Sequence, residues 1–258
     1  MKETVMAFKK CLSEGVEKSK SSFEEVLKSV LYPKTIKGGA FHKILKCVVE
    51  KGGIHKPKKG KLININMKLS SCLTDSIDEE FKKTFPNEGN SGPFNGVINV
   101  FSLGTEKLMK KECENVKLQL TFLKTEEEKM KTKLNKLIRE RKKTIYSSLT
   151  TTIEEKMKPC YDRAKEIKGE GTLRNMRETI EIHVHGSKDV MFAQAKNNMV
   201  KKLKDLMLEI LEKLCNTMQE SIELSLKTDG DSIPDVSDEL KFVNKYYNDL
   251  KRTDIVPR

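Results

Sequence analysis

The chain has 258 residues, 34% of them charged and 36% hydrophobic, with seven prolines, no tryptophan and only 6% aromatic residues. The formal net charge is +12. High Lys, Glu and Leu content with so few prolines suits long amphipathic helices and argues against a sheet protein, and the modest apolar share predicts elongated helices around a narrow seam.

The charge is uneven. Residues 37 to 68 hold nine lysines and one acid, Glu50, whereas residues 228 to 240 hold five acids and no lysine or arginine. A basic surplus of this kind attracts nucleic acid, anionic lipid or an acidic protein surface, although most such runs are solvated faces. Six cysteines (Cys11, Cys47, Cys72, Cys113, Cys160 and Cys215) lie at least 25 positions apart with no CxxC pair. That spacing excludes a disulfide-dense secreted scaffold. With no apolar run of signal-peptide or membrane-span length, the expected location is the nucleus or cytoplasm.

In chain order, Val5, Phe8, Leu12, Val16, Phe23, Leu27 and Val30 predict a first helix stopped by Pro33. Residues 34 to 61 are punctuated by Gly38-Gly39, Gly52-Gly53, Pro57 and Gly60, with one or two helical turns between Phe41 and Val49. Leu62 to Asn66 alternates like a strand. Leu69, Leu73, Ile77, Phe81 and Phe85 then form a helical stripe, with Asn64 or Asn66 placed to cap it and Pro86 to end it. Residues 86 to 96 read as a loop or hinge. From about Gly104 to Ile167 the spacing predicts one very long helix or two in series, with Pro159 expected to kink or split it. A shorter helix is expected near Thr172 to Ile182, closed by Gly186. Ala195, Met199, Leu203, Leu206, Ile210, Leu214, Met218 and Ile222 mark a further heptad-like helix. After an acidic linker, Leu240, Val243 and Tyr247 define a terminal helix expected to dock on the bundle.

The pattern is therefore all-α: an elongated helical bundle with long, coiled-coil-like antiparallel helices. The segments are an N-terminal helix (1–36), a basic Gly/Lys-rich part with a short helix and hinge (37–96), a stalk-like bundle (97–228), and an acidic linker with a terminal helix (229–258).

Catalytic signatures are incomplete. A phosphate loop needs GxxxxGK followed by Ser or Thr, and the nearest approach, Gly53 to Lys61, has the wrong spacing and continues into Leu62. Glu181, His183 and His185 would share one face of a strand and there resemble a zinc set. On a helix the two histidines point about 200° apart, and the flanking Met176 and Ile180 favour a helix. No cysteine has a histidine at helical spacing to activate it: His42 and Cys47 are five apart, and Cys160 beside Pro159 fits equally well as packing. Two basic clusters remain. Lys56, Lys58, Lys59 and Lys61 lie in a loop that an import receptor or an anion would read. Arg139-Glu140-Arg141-Lys142-Lys143 lies within a helix and is expected to be solvated surface. No metal, catalytic or cofactor-binding residue is assigned.

The stretch Gly38-Gly39-Ala40-Phe41-His42-Lys43-Ile44-Leu45-Lys46-Cys47, followed by Gly53-Ile54, resembles the segment beyond the GTPase domain in the SLIP-GC family of nuclear, dynamin-like large GTPases. Ile145-Tyr146-Ser147-Ser148-Leu149-Thr150, Pro159-Cys160-Tyr161, Gly169, Gly171 and Met176 look like the same family's helical region, in the same order. The resemblance runs from about Gly38 to Ile222 and implies the C-terminal helical part of such a protein, not enzymatic on its own. It further implies that GTP and magnesium belong to an upstream domain whose motifs this sequence lacks, so no nucleotide-contacting residue carries over. The implied role is a stalk or interaction region that relays nucleotide state or mediates assembly, through a protein partner, self-association or a GTPase domain in cis. The alternative is a nucleic-acid-binding module built on residues 37 to 68.

Overall fold

The computed structural model describes residues 1–34, 36, 38–58, 60–86, 91–109, 115–226 and 237–253, with the backbone alone at 38, 237 and 247–253. The described architecture is all-α apart from one short hairpin. Helix α1 (Lys2–Leu31) buries Val5, Phe8, Leu12, Val16, Phe23, Leu27 and Leu31 along one stripe. It ends two residues before Pro33, which cannot continue the hydrogen-bond ladder. Helix α2 (Gly38–Glu50) is longer than the one or two turns expected. It buries Phe41, Leu45, Val48 and Val49. Gly52 and Gly53 take positive φ (67° and 92°) and their amides return to the Val49 and Val48 carbonyls, closing the helix end.

The strand-like alternation is real but brief. Strands β1 (Ile54–His55) and β2 (Ile63–Asn64) pair antiparallel, Ile54 opposite Asn64 and His55 opposite Ile63. Asn64 then caps helix α3 (Ile65–Thr84), its side chain accepting from the Met67 amide at 2.9 Å. Asn66, the other capping candidate, is fully buried and bonds elsewhere.

Short helices α4 (Asn95–Val100) and α5 (Thr105–Leu108) lie against the N-terminal part of helix α6 (Lys117–Lys165). Buried Glu127 of α6 holds this stretch, accepting from the Leu103 amide at 2.9 Å and from Lys131 Nζ at 2.6 Å. Helix α6 thus begins later than the sequence pattern placed it. Pro159 does not split it. Pro159 is exposed, while Met157, Cys160, Tyr161 and Ala164 on the buried face keep their packing across it.

A turn with Gly169 and Gly171 at positive φ leads into helix α7 (Thr172–Ser225), a single element of 54 residues. The expected break at Gly186 is absent. One glycine in a helix interior costs about 1 kcal/mol, less than the burial of Val184, Met191, Phe192 and Ala195 around it stabilises. Helices of 49 and 54 residues each span roughly 75–80 Å. Helix α8 (Ser237–Thr253) follows. It leaves Leu240 and Val243 exposed and does not dock them, and the Tyr247 side chain lies outside the described residues.

Four helices make the bundle, with α1 against α3 and α7, and α6 against α3 and α7. Each runs antiparallel to both neighbours. On α1 and α7, Lys20 meets Asp189 and Tyr32 meets Glu181. On α3 and α6, Asn66 meets Tyr161 and Asp78 meets Tyr146. On α6 and α7, Arg141 meets Glu209 and Thr152 meets Asn198. The contact of α1 with α3 is close at Gly15, where a Cβ would lie 3.1 Å from the Ser76 Cβ and collide with its hydroxyl. At one end Phe8, Phe81, Phe85, Phe94 and Tyr146 form a connected aromatic cluster. Past it the α6–α7 hairpin continues, with α4 and α5 against α6, and buries Met130, Leu134, Leu137 and Ile210. No described helix is long and apolar enough to cross a membrane.

Candidate functional site

The basic loop predicted at Lys56, Lys58, Lys59 and Lys61 connects β1 to β2. Lys56, Lys58 and Lys61 are exposed, and Lys59 lies outside the described residues. The hairpin that presents them is fixed from beneath. Tyr161 of α6 donates its hydroxyl to Asn66 Oδ1 at 2.7 Å, and Asn66 Nδ2 donates to the Gly52 carbonyl at 2.9 Å. Gly53 lies flat on the phenol, for a Cβ there would be 2.6 Å from Tyr161 Cζ. Burial pushes the Tyr161 hydroxyl pKa well above its ordinary value. Phe41, the aromatic within the basic window, is 1% exposed and belongs to the core.

The second basic cluster does not remain one solvated face. Arg141 crosses to α7 and binds Glu209 through Nε and Nη2 at 3.1 and 3.2 Å. Lys142 Nζ donates to the Phe85 carbonyl at the end of α3, at 2.8 Å. Arg139 and Lys143 instead rim a groove of about 980 Å³ between the end of α3 and α6, together with Lys82. Its floor is Phe81, Phe85 and Pro86. At its edge Tyr146 donates to Asp78 at 2.8 Å, and burial followed by that hydrogen bond pushes the phenol pKa up to about 12. Sequence reading missed this groove because Lys82 and Arg139 lie 57 positions apart and only the antiparallel pairing of α3 with α6 unites them.

Glu181, His183 and His185 lie on α7, and each takes a different partner. Glu181 accepts from the Tyr32 hydroxyl at 3.3 Å. His183 Nδ1 accepts from Arg163 at 3.0 Å while its Nε2 donates to the Lys156 carbonyl at 2.9 Å. His185 packs edge-on to Phe23 with ring centroids 5.9 Å apart. Among the described residues no group of three His, Cys, Asp or Glu side chains is placed to hold a metal. Cys160 is buried, its thiol donating to the Thr179 carbonyl at 3.7 Å, and burial pushes its pKa up to about 12. A nucleophile needs the opposite shift. Cys113 lies outside the described residues. Neighbouring Arg177 lies over the rings of Tyr32 at 4.3 Å and Phe41 at 5.1 Å, tying α7 to the end of α1 and to α2.

No protein-family model matches the chain. No solved structure matches it either. Among curated proteins it is 26% identical over 250 residues to the nuclear GTPase SLIP-GC of Mus musculus, and 26% identical over 251 residues to that of Homo sapiens. Each match covers 93% of this chain and 31% of the relative, so the chain spans just under a third of the length of the curated relatives it matches. The likeness first carried by Gly38 to Cys47 and by Pro159-Cys160-Tyr161 thus extends along nearly the whole chain, which is similar, distantly and to part of their length, to the nuclear GTPases named SLIP-GC.

Proposed function

We propose that this chain is a non-catalytic helical stalk that mediates assembly, and relays nucleotide state, for a GTPase domain not encoded within these residues. The observation that supports it best is the α6–α7 hairpin. Past the end of the four-helix bundle it presents Leu208, Leu211, Leu224 and Leu226 to solvent, each between 46% and 71% exposed. A rigid antiparallel pair with apolar residues on its outer surface is suited to pairing with a second copy or with a partner helix. Partial similarity to proteins named as GTPases supports the association with GTP chemistry. Nuclear residence belongs to the same proposal, with Lys56, Lys58 and Lys61 as the readable basic signal.

Sedimentation equilibrium over a concentration series tests the assembly role. The wild-type chain is expected to self-associate, and Leu208→Ser with Leu211→Ser to weaken that association without lowering the melting temperature. A chain that stays monomeric at every concentration would overturn assembly through this surface.

A further inference from the structure

We propose that the groove between the end of α3 and the middle of α6 is a docking site for an acidic peptide that also carries apolar side chains. Three observations lead there. First, the rim is cationic chiefly on the α6 wall, with Arg139 and Lys143, and Lys82 on α3 faces them while paired with Glu79 at 2.9 Å. Arg139 and Lys143 are exposed, and among the described residues neither has a carboxylate within ion-pair distance. Several other α6 cations are matched, Arg141 by Glu209, Lys131 by Glu127, Lys129 by Glu126 and Lys165 by Asp162, so what sets Arg139 and Lys143 apart from other unpaired lysines of the helix is their place beside an apolar groove. Second, the floor between these cations is apolar, formed by Phe81, Phe85 and Pro86. Third, at about 980 Å³ the groove is large enough for several side chains of an incoming segment.

The same features favour a peptide over nucleic acid. Phe81 and Phe85 are 8% and 3% exposed, because they pack against each other and against Phe94 and Tyr146. At that exposure neither ring offers a free face for a base to stack on. Asp78 lines the groove as well and repels a continuous phosphodiester backbone. A peptide avoids both problems. It places carboxylates at Arg139 and Lys143, lets leucine-sized side chains cover the floor, and turns away from Asp78. Arginine suits this task because its planar fork binds a carboxylate through two parallel hydrogen bonds.

The test uses the full chain and fluorescence anisotropy with a labelled peptide of alternating glutamate and leucine. Measurable binding is expected at low salt, weakened at least about tenfold by Arg139→Glu with Lys143→Glu, a loss of roughly 1.4 kcal/mol or more. A matching peptide of glutamate and glycine is expected to bind less tightly, since it cannot cover the floor. Should the charge-reversed protein melt early, Arg139→Gln with Lys143→Gln replaces it and is expected to weaken binding in the same direction. No binding of the glutamate–leucine peptide, or equal affinity in the variants that fold, overturns the proposal. Equal affinity for the glutamate–glycine peptide removes the apolar floor from it. Tighter binding of a 20-mer of single- or double-stranded DNA, lost in the same variants, overturns it in favour of nucleic acid.

Discussion

Tyr161 donates its hydroxyl to Asn66 across 95 positions of sequence, and this single 2.7 Å bond ties α6, the cap region of α3 and the Gly52-Gly53 turn into one joint. Tyr161→Phe would leave a buried Asn66 oxygen without its donor. Such an orphaned acceptor costs about 1–3 kcal/mol, or very roughly 2–10 °C of melting temperature for a domain of this size. Thermal unfolding followed by circular dichroism checks this, and an unchanged midpoint would show that the joint contributes nothing. Gly53→Ala should be at least as costly, since its φ of 92° disfavours any side chain and the phenol occupies the space.

Alkaline pH should loosen the contact of α6 with the other end of α3. Burial and the Asp78 hydrogen bond raise the Tyr146 phenol from an ordinary 10.0 to about 12, so the folded protein holds it neutral where the unfolded chain would ionise it. A raised folded pKa means that its contribution is fully present below pH 10 and is lost as the pH rises to about 12. Cys160 acts in the same sense, its thiol raised from 9.0 to about 12 by burial. The melting temperature is expected to fall between pH 9 and 12, and to fall less steeply in Tyr146→Phe. Parallel profiles for the two proteins would remove Tyr146 from the account.

The seam makes a sharper contrast. Leu206 is 2% exposed between α6 and α7, and Leu224 is 55% exposed further along α7. Leu206→Asp puts an unpaired carboxylate into a packed interior and is expected to cost on the order of 4–5 kcal/mol. Leu224→Asp should leave the midpoint within about 0.5 kcal/mol of wild type. Similar melting curves for both variants would contradict the seam.

Gly186 offers a gain instead of a loss. It stands inside α7, about four turns from its start, and a Cβ added there meets nothing within 4 Å. Gly186→Ala should therefore stabilise the protein by about 0.5–1 kcal/mol, through a less flexible unfolded chain and better helix propensity. A lowered melting temperature would mean that the helix does not continue through this point.

The sequence by itself determined the helical class, the buried stripes of α1 and α3, the cap at Asn64 and the α6–α7 seam, because all of these follow from periodicity and local hydrogen bonding. It also carried the likeness to part of the nuclear GTPases, through residues such as Gly53 and Tyr161 that only later proved to touch. The punctuation was misread at Gly186, which does not end its helix, and Pro159 does not split α6; at both, apolar residues packing on either side outweigh the local helix penalty. The brief β1–β2 pairing gave only a faint alternation, and α8 shows an apolar face that the pattern wrongly placed on the bundle. What only the tertiary structure decided is which distant residues share a surface. A helix face records that it is amphipathic and says nothing of its neighbour. The basic run at Arg139 to Lys143 therefore looked like solvated charge until α3 brought Lys82, Phe81 and Phe85 beside it.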